Sequence, residues 1–250
     1  MVIKYINKGL GLLGYRLVNL KRREMPQDFE EEFLAIYEKC APFTMTSPER
    51  MYATYLSTRY ILENDIDGDF IECGVWKGGS VLVMIYTLIA KGITNRRIFL
   101  YDTFEGMIEP TENDIDLYGK SAYKKWKKYL RKDKNLWCYA SLEEVKNNIG
   151  AASYPQDKIH FIRGKVEETI PNAVNHERIA LLRLDTDWYA SSYHELKYLY
   201  PKLVRGGILL LDDYGFWEGQ RKATDQYFSE NNIKPFLIRI DYSGRMVLKI

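Results

Sequence analysis

The chain has 250 residues, long enough for one large α/β domain with a full core. Its formal net charge is +2, too balanced to argue for a nucleic-acid partner, and no stretch reaches the roughly 18 uninterrupted apolar residues of a membrane span. Three widely spaced cysteines, Cys40, Cys73 and Cys138, form neither a disulfide framework nor a zinc spacing and fit a reducing, cytoplasmic setting.

The first 23 residues are amphipathic, with Lys4, Lys8, Arg16 and Lys21 interleaved with Ile3, Ile6, Leu10 and Leu13. They lack the apolar core and cleavage site of a signal peptide. Three readings remain: a helix packed on the domain or on a partner subunit, a helix on a membrane surface, or an arm. The apolar surface of this segment favours a homodimer, with peripheral contact at the inner membrane face as the other expectation. Residues 24–64 read as helical, with Ser47 as a cap and Pro48 at a first helical position. Residues 1–64 are therefore expected to form a helical extension or lid on a domain of residues 65–250.

That domain opens with a strand, Asp69 to Val75, followed by W-K-G-G-S and an apolar helix with Ser80 as its cap. A strand, glycine turn and helix at the start of a doubly wound sheet is a nucleotide site. The glycines Gly74, Gly78 and Gly79 do not follow G-x-G-x-x-G, and a Glu before the first Gly suits a cationic or hydroxyl-rich ligand better than a phosphate. S-adenosylmethionine is such a ligand, with a sulfonium, an amino group and a ribose diol. The second strand ends at Asp102, placed to accept ribose hydroxyls. An insertion of about residues 105–157 follows, containing the basic aromatic run Y-K-K-W-K-K-Y-L-R-K-D-K, which suits a phosphate or nucleic-acid contact but is read first as a solvated helix with its rings packed inward. A third strand ends at Gly164, and the residues after it are placed to touch the adenine.

Two short apolar runs ending in acid organise the rest. Ile179 to Leu184, broken by Arg183, ends at Asp185 and Asp187; Ile208 to Leu211 ends at Asp212 and Asp213. With about twenty residues of helical character between them, they outline a strand, crossover helix and parallel strand. In neighbouring strands, about 4.8 Å apart, Asp185, Asp212 and Asp213 converge. Such carboxylates repel one another unless protonated or holding a cation, for which Mg²⁺ is suited; otherwise they cap helices or face solvent. Trp188 and Tyr189 are expected either over the site, free to stack on a substrate ring, or packed in the core. The chain closes with a hairpin around Asp241-Tyr242-Ser243-Gly244.

E-C-G-V-W-K-G-G-S, Y-D-T-F-E-G, L-L-R-L-D-T-D-W-Y-A-S, L-Y-P-K-L-V-R-G-G and D-D-Y-G-F-W-E-G-Q-R-K-A, in order from about Thr44 to Phe228, resemble the macrocin O-methyltransferase (TylF-type) family. The resemblance implies a Rossmann-like class I methyltransferase: a seven-stranded, mostly parallel sheet with an antiparallel C-terminal hairpin. It implies S-adenosylmethionine and Mg²⁺ as cofactors and a sugar hydroxyl of a natural product or glycan as acceptor. Asp185, Asp212 and Asp213 are the implied metal ligands. Glu72, Cys73, Gly74, Val75, Gly79, Ser80, Asp102, Thr103, Gly164, Val166 and Asp185 are the expected cofactor contacts. The lysine base of related catechol-type enzymes is replaced by Trp188, which leaves Asp187 or Asp185 to take the proton. The alternatives are a nicotinamide-dependent sugar oxidoreductase and a non-catalytic S-adenosylmethionine-binding protein on the same fold.

Overall fold

The computed structural model describes residues 25–250, and residues Glu31–Ile250 form one compact unit. The amphipathic segment at the N-terminus, and with it the membrane and dimer expectations, lies outside the described residues. No described helix is long and apolar enough to cross a membrane.

Seven strands form one sheet among the described residues: β1 (Asp69–Cys73), β2 (Ile98–Asp102), β3 (Ile159–Arg163), β4 (Ile179–Leu184), β5 (Leu203–Leu211), β6 (Ile238–Arg239) and β7 (Arg245–Leu248). Their order is β3-β2-β1-β4-β5-β7-β6. The first five run parallel, and β7 pairs antiparallel with both β5 and β6. This is the expected mostly parallel α/β sheet with an antiparallel hairpin at its edge. The order reverses between β1 and β4, so the crevice of such a sheet opens at the carboxyl ends of those two strands.

The central strands are buried along their whole length, as parallel strands covered on both faces must be. That makes their polar members conspicuous: Asp69 and Glu72 in β1 and Arg183 in β4 are each no more than 3% exposed. β5 starts at Leu203 rather than at the apolar run from Ile208, because Gly206 (φ 83°) lets the chain bend into the ladder early.

Helices α1 (Glu31–Cys40) and α2 (Pro48–Glu63) pack on α3 (Gly79–Ala90), and α2 also reaches β5. Ser47 caps α2 by accepting from the Arg50 amide at 3.2 Å. Ser80 does not cap α3: Gly78, at φ 89°, takes the N-cap position, and the Ser80 side chain turns toward Met51 instead. The insertion holds α4 (Tyr123–Tyr129) and α5 (Leu142–Gly150). A four-residue helix α6 (Val166–Thr169) follows β3, α7 (Tyr189–Leu199) crosses from β4 toward β5, and α8 (Glu218–Glu230) packs on α7.

Candidate active site

A cavity of about 300 Å³ opens at the reversal point, lined by residues from β1 and β2, the segments that follow β1 to β5, and the turn before α2. Ten of the eleven expected cofactor positions line it. Glu72, Gly74, Val75, Gly79 and Ser80 come from β1 and its turn. Asp102 and Thr103 end β2, Gly164 and Val166 follow β3, and Asp185 follows β4. Cys73 alone turns away, into the hydrophobic core beneath the sheet, because alternate residues of a strand face opposite sides.

The glycine turn is shaped by backbone demands. Gly74 sits at φ 81°, and a Cβ there would run into the Asp185 backbone. The turn is tied to β2 by Asp102, whose Oδ2 accepts from the Val75 amide at 2.7 Å and the Trp76 amide at 3.2 Å, while Oδ1 accepts from the Phe104 amide at 2.7 Å. Burial still pushes this carboxyl up, against those hydrogen bonds. Asp102, expected to accept ribose hydroxyls, thus also holds the glycine turn in place.

Glu72 accepts from Arg183 Nη1 at 2.5 Å through Oε1, while its buried Oε2 has no partner. Burial is the main reason its pKa is pushed up to about 7, with Arg183 working in the opposite direction. An unpartnered carboxylate oxygen on a cavity wall fits an ammonium, which is what the amino-acid end of S-adenosylmethionine presents.

The acids at the ends of β4 and β5 divide in a way their order along the chain does not show. Asp185, Asp187 and Asp213 each bring a ligand atom within 4.8 Å of the others. Asp212, expected among the ligands, gives Oδ1 to Arg183 Nη2 at 2.5 Å and Oδ2 to Arg50 Nη1. Asp212 thus lies between two buried guanidinium groups and shares them with other acids: Arg50 also donates to Asp241 at 3.1 Å, and Arg183 to Glu72 and Asp185.

The trio itself is short of positive charge. Asp185 accepts from Arg183 Nη1 at 2.8 Å, whereas the buried Asp213 Oδ2 has no partner. Burial, then repulsion from Asp185, pushes the Asp187 carboxyl up to about 8, and Asp213 is likewise raised by burial and by Asp187. Three crowded oxygen donors with one guanidinium between them fit a hard divalent cation.

The frame of this site includes residues that sequence reading passed over. Gln220 of α8 accepts from the Asp213 amide at 2.7 Å and donates to the Leu184 carbonyl at 3.3 Å, which pins the ends of β4 and β5 together. Asp114, from the insertion, is fully buried and accepts from the Tyr189 amide at 2.8 Å, anchoring the first turn of α7 directly after Asp187. Arg183 was visible as a break in an apolar strand, and a buried arginine there requires carboxylate partners.

Of the two readings of Trp188, the structure takes core packing. The residue is 1% exposed, donates from Nε1 to the Ile108 carbonyl at 3.0 Å and packs against Trp137 and Trp217. Tyr189 likewise bonds Gln226 at 2.6 Å. The aromatic wall of the cavity is instead Trp137, Phe216 and Trp217, with Lys125 beside it. His160, His176 and His194 lie elsewhere: His176 bridges Asp69 and Tyr101, His194 meets the Ile170 carbonyl, and His160 stacks on Phe99.

Residues 16–249 match the family described as macrocin-O-methyltransferase (TylF). Demethyldecarbamoylnovobiocin O-methyltransferase of Streptomyces niveus is 29% identical over 201 residues, which cover 80% of this chain and 73% of that one. The 8-demethyl-8-(2,3-dimethoxy-alpha-L-rhamnosyl)-tetracenomycin-C 4'-O-methyltransferase of Streptomyces olivaceus is 31% identical over the same share of both chains. Among solved structures, the O-methyltransferase NovP superposes with a TM-score of 0.71 at 28% identity, covering 83% of this chain and 82% of its own.

Proposed function

This chain belongs to the macrocin-O-methyltransferase family and is an O-methyltransferase, and from that premise we propose that it moves a methyl group from S-adenosylmethionine, with Mg²⁺ bound, to a hydroxyl of a sugar on a small-molecule natural product or glycan. The oxidoreductase alternative falls with family membership. The observation that carries the proposal is the convergence, on one cavity, of the unpartnered Glu72 Oε2 and the Asp185, Asp187 and Asp213 trio. Similarity to an enzyme named for a rhamnosyl-bearing substrate supports a glycosidic acceptor.

In this reading Glu72 holds the ammonium of the methyl donor and Asp102, at the end of β2, faces its ribose. Bound S-adenosylmethionine supplies an electrophilic methyl group on a sulfonium. Asp185, Asp187 and Asp213 would hold a divalent cation, which when bound would supply Lewis acidity to an acceptor hydroxyl. Asp187, on the cavity wall beside Asp185 and Asp213, is the carboxylate placed to take the hydroxyl proton. Asp212 stays with Arg50 and Arg183 and holds the end of β5 in place. Trp137, Phe216 and Trp217 exclude water and offer ring faces to a sugar. Alignment of the two reactants then supplies much of the acceleration.

Calorimetric titration of S-adenosylmethionine and S-adenosylhomocysteine with and without Mg²⁺, followed by methyl transfer to a panel of glycosides, tests this. Binding of both and Mg²⁺-stimulated transfer are expected. Full transfer by Asp213→Asn in chelator would overturn the metal role, and a folded protein that binds neither compound would overturn the donor.

A further inference from the structure

The insertion concentrates charge in a way the rest of the chain does not. Eight Lys and Arg residues and a single Asp fall between Lys120 and Lys134, a net +7. With a whole-chain charge of +2, all other residues together sum to 2 − 7 = −5. Lysines of the described residues that do form ion pairs lie elsewhere, at Lys77, Lys91, Lys158 and Lys165. Four of those in the insertion rest on rings: Lys125 Nζ is 4.0 Å from the Trp137 centroid, Lys134 is 4.0 Å from that of Tyr139, and Lys127 and Lys128 lie over Tyr123 and Tyr129. A ring face steadies an ammonium and leaves its hydrogen-bond donors free.

This patch is joined to the cavity. Trp126 Nε1 donates to the Met107 carbonyl at 2.9 Å, and Asn135 Nδ2 donates to the Trp126 carbonyl at 2.8 Å, which fixes α4 against the wall that contains Trp137. Lys125 is therefore a lining residue of the same cavity as the carboxylate trio. The other cations in that lining are committed or distant from the aromatic wall: Arg50 to Asp212 and Asp241, Lys165 beside Glu168.

An acidic floor admits a neutral hydroxyl and repels an anion, so a negative group on the acceptor must be held by the wall. We propose that Lys125, backed by the basic run of α4, is the specificity-determining residue for an acceptor whose sugar carries a phosphate or pyrophosphate, the anion bound at Lys125 while the sugar lies against Trp137 and Trp217. This deepens the O-methyltransferase reading and rests on it. The same chemistry is presented by a soluble nucleotide sugar and by a lipid-linked pyrophosphoryl sugar.

The test uses the full chain saturated with S-adenosylhomocysteine and follows quenching of its cavity tryptophans. UDP-glucose and methyl glucoside are titrated into wild type, Lys125→Gln and Lys125→Arg at low and high salt. UDP-glucose is expected to bind at least about ten-fold more tightly than methyl glucoside, and the gap should shrink with salt, as screening requires. K125Q should weaken UDP-glucose about ten-fold and leave methyl glucoside unchanged, while K125R retains the preference. Equal binding of the two probes, or an unchanged preference in K125Q, overturns the proposal. Vesicles bearing a polyprenyl-pyrophosphoryl glucose form a second arm: tighter capture there than of UDP-glucose assigns the lipid-linked source, and the reverse assigns the nucleotide. S-adenosylhomocysteine titrated alone separates the two levels. If it fails to bind, the methyltransferase reading of the cavity falls; if it binds and no phosphate preference appears, only the acceptor proposal falls.

Discussion

Arg183 Nη2 donates to Asp212 Oδ1 at 2.5 Å across the β4–β5 ladder, and through Nη1 the same guanidinium holds Glu72 and Asp185. One side chain thus links Glu72, where the donor's ammonium is expected, to the acids that follow β4 and β5. Asp212 completes the link by neutralising Arg50 as well. Removing its carboxylate leaves Arg50 with Asp241 and Arg183 with Glu72 and Asp185, but takes a charged hydrogen bond from each. Asp212→Ala should therefore destabilise the fold by about 1–3 kcal/mol, read as a lower denaturant midpoint with an unchanged m-value. A stability within about 0.5 kcal/mol of wild type would show that the arginines find other partners.

Asp213→Asn separates catalysis from that network, because Asp213 does not pair with either arginine in the way Asp212 does. It should reduce Mg²⁺ affinity by at least about ten-fold, since one charged ligand is lost, while the melting temperature in chelator stays close to wild type or rises as trio repulsion is relieved. Undiminished Mg²⁺ binding by D213N would remove Asp213 from the ligand set.

Metal binding should also depend on pH with a definite sign. The Asp187 carboxyl is pushed up to about 8 by burial and by Asp185, so below that pH it carries a proton that a cation must displace. Mg²⁺ affinity is expected to rise from pH 6 through about 8, with proton release visible as a buffer-dependent enthalpy. A flat profile across that range would mean that Asp187 is not a ligand.

Glu72 gives a second pH signature, this one in the absence of metal. Its pKa near 7 means that the carboxylate available to an ammonium is lost as pH falls through neutrality. S-adenosylhomocysteine affinity should increase as pH is raised toward 7, and Glu72→Gln should lower it by about ten- to a hundred-fold, the value of a charged hydrogen bond. A variant that binds as wild type at pH 7 would release Glu72 from the donor site.

Asp114 tests whether the insertion frames the chemistry. Its buried carboxylate holds the Tyr189 amide at the start of α7, and a Cβ on Gly219 would strike it, so the contact is closely fitted. Asp114→Ala should cost about 1–3 kcal/mol and depress kcat, because α7 follows Asp187 directly, while donor affinity is retained. An unaltered kcat would confine Asp114 to a purely structural role.

The sequence alone determined the architecture. Apolar runs at strand length, glycines where the chain must turn with positive φ, and acids at the ends of those runs are local properties, and they specify a doubly wound sheet whose ligands gather at its carboxyl edge. The positions around Glu72, Asp102 and Asp185 were legible for that reason: each is placed by its own strand. The direction each acid faces was not. Asp212 and Asp213 are neighbours in sequence, yet one is drawn to Arg183 and Arg50 and the other joins Asp185 and Asp187. That division depends on a helix 162 residues away supplying Arg50. The aromatic wall depends likewise on the insertion: it buries Trp188 under the Ile108 carbonyl and brings Trp137 and Lys125 to the cavity. Local pattern decides which element forms, because backbone geometry and side-chain period act within a few residues. Tertiary structure decides which charges pair, because a buried charge takes its partner from whatever the fold packs beside it.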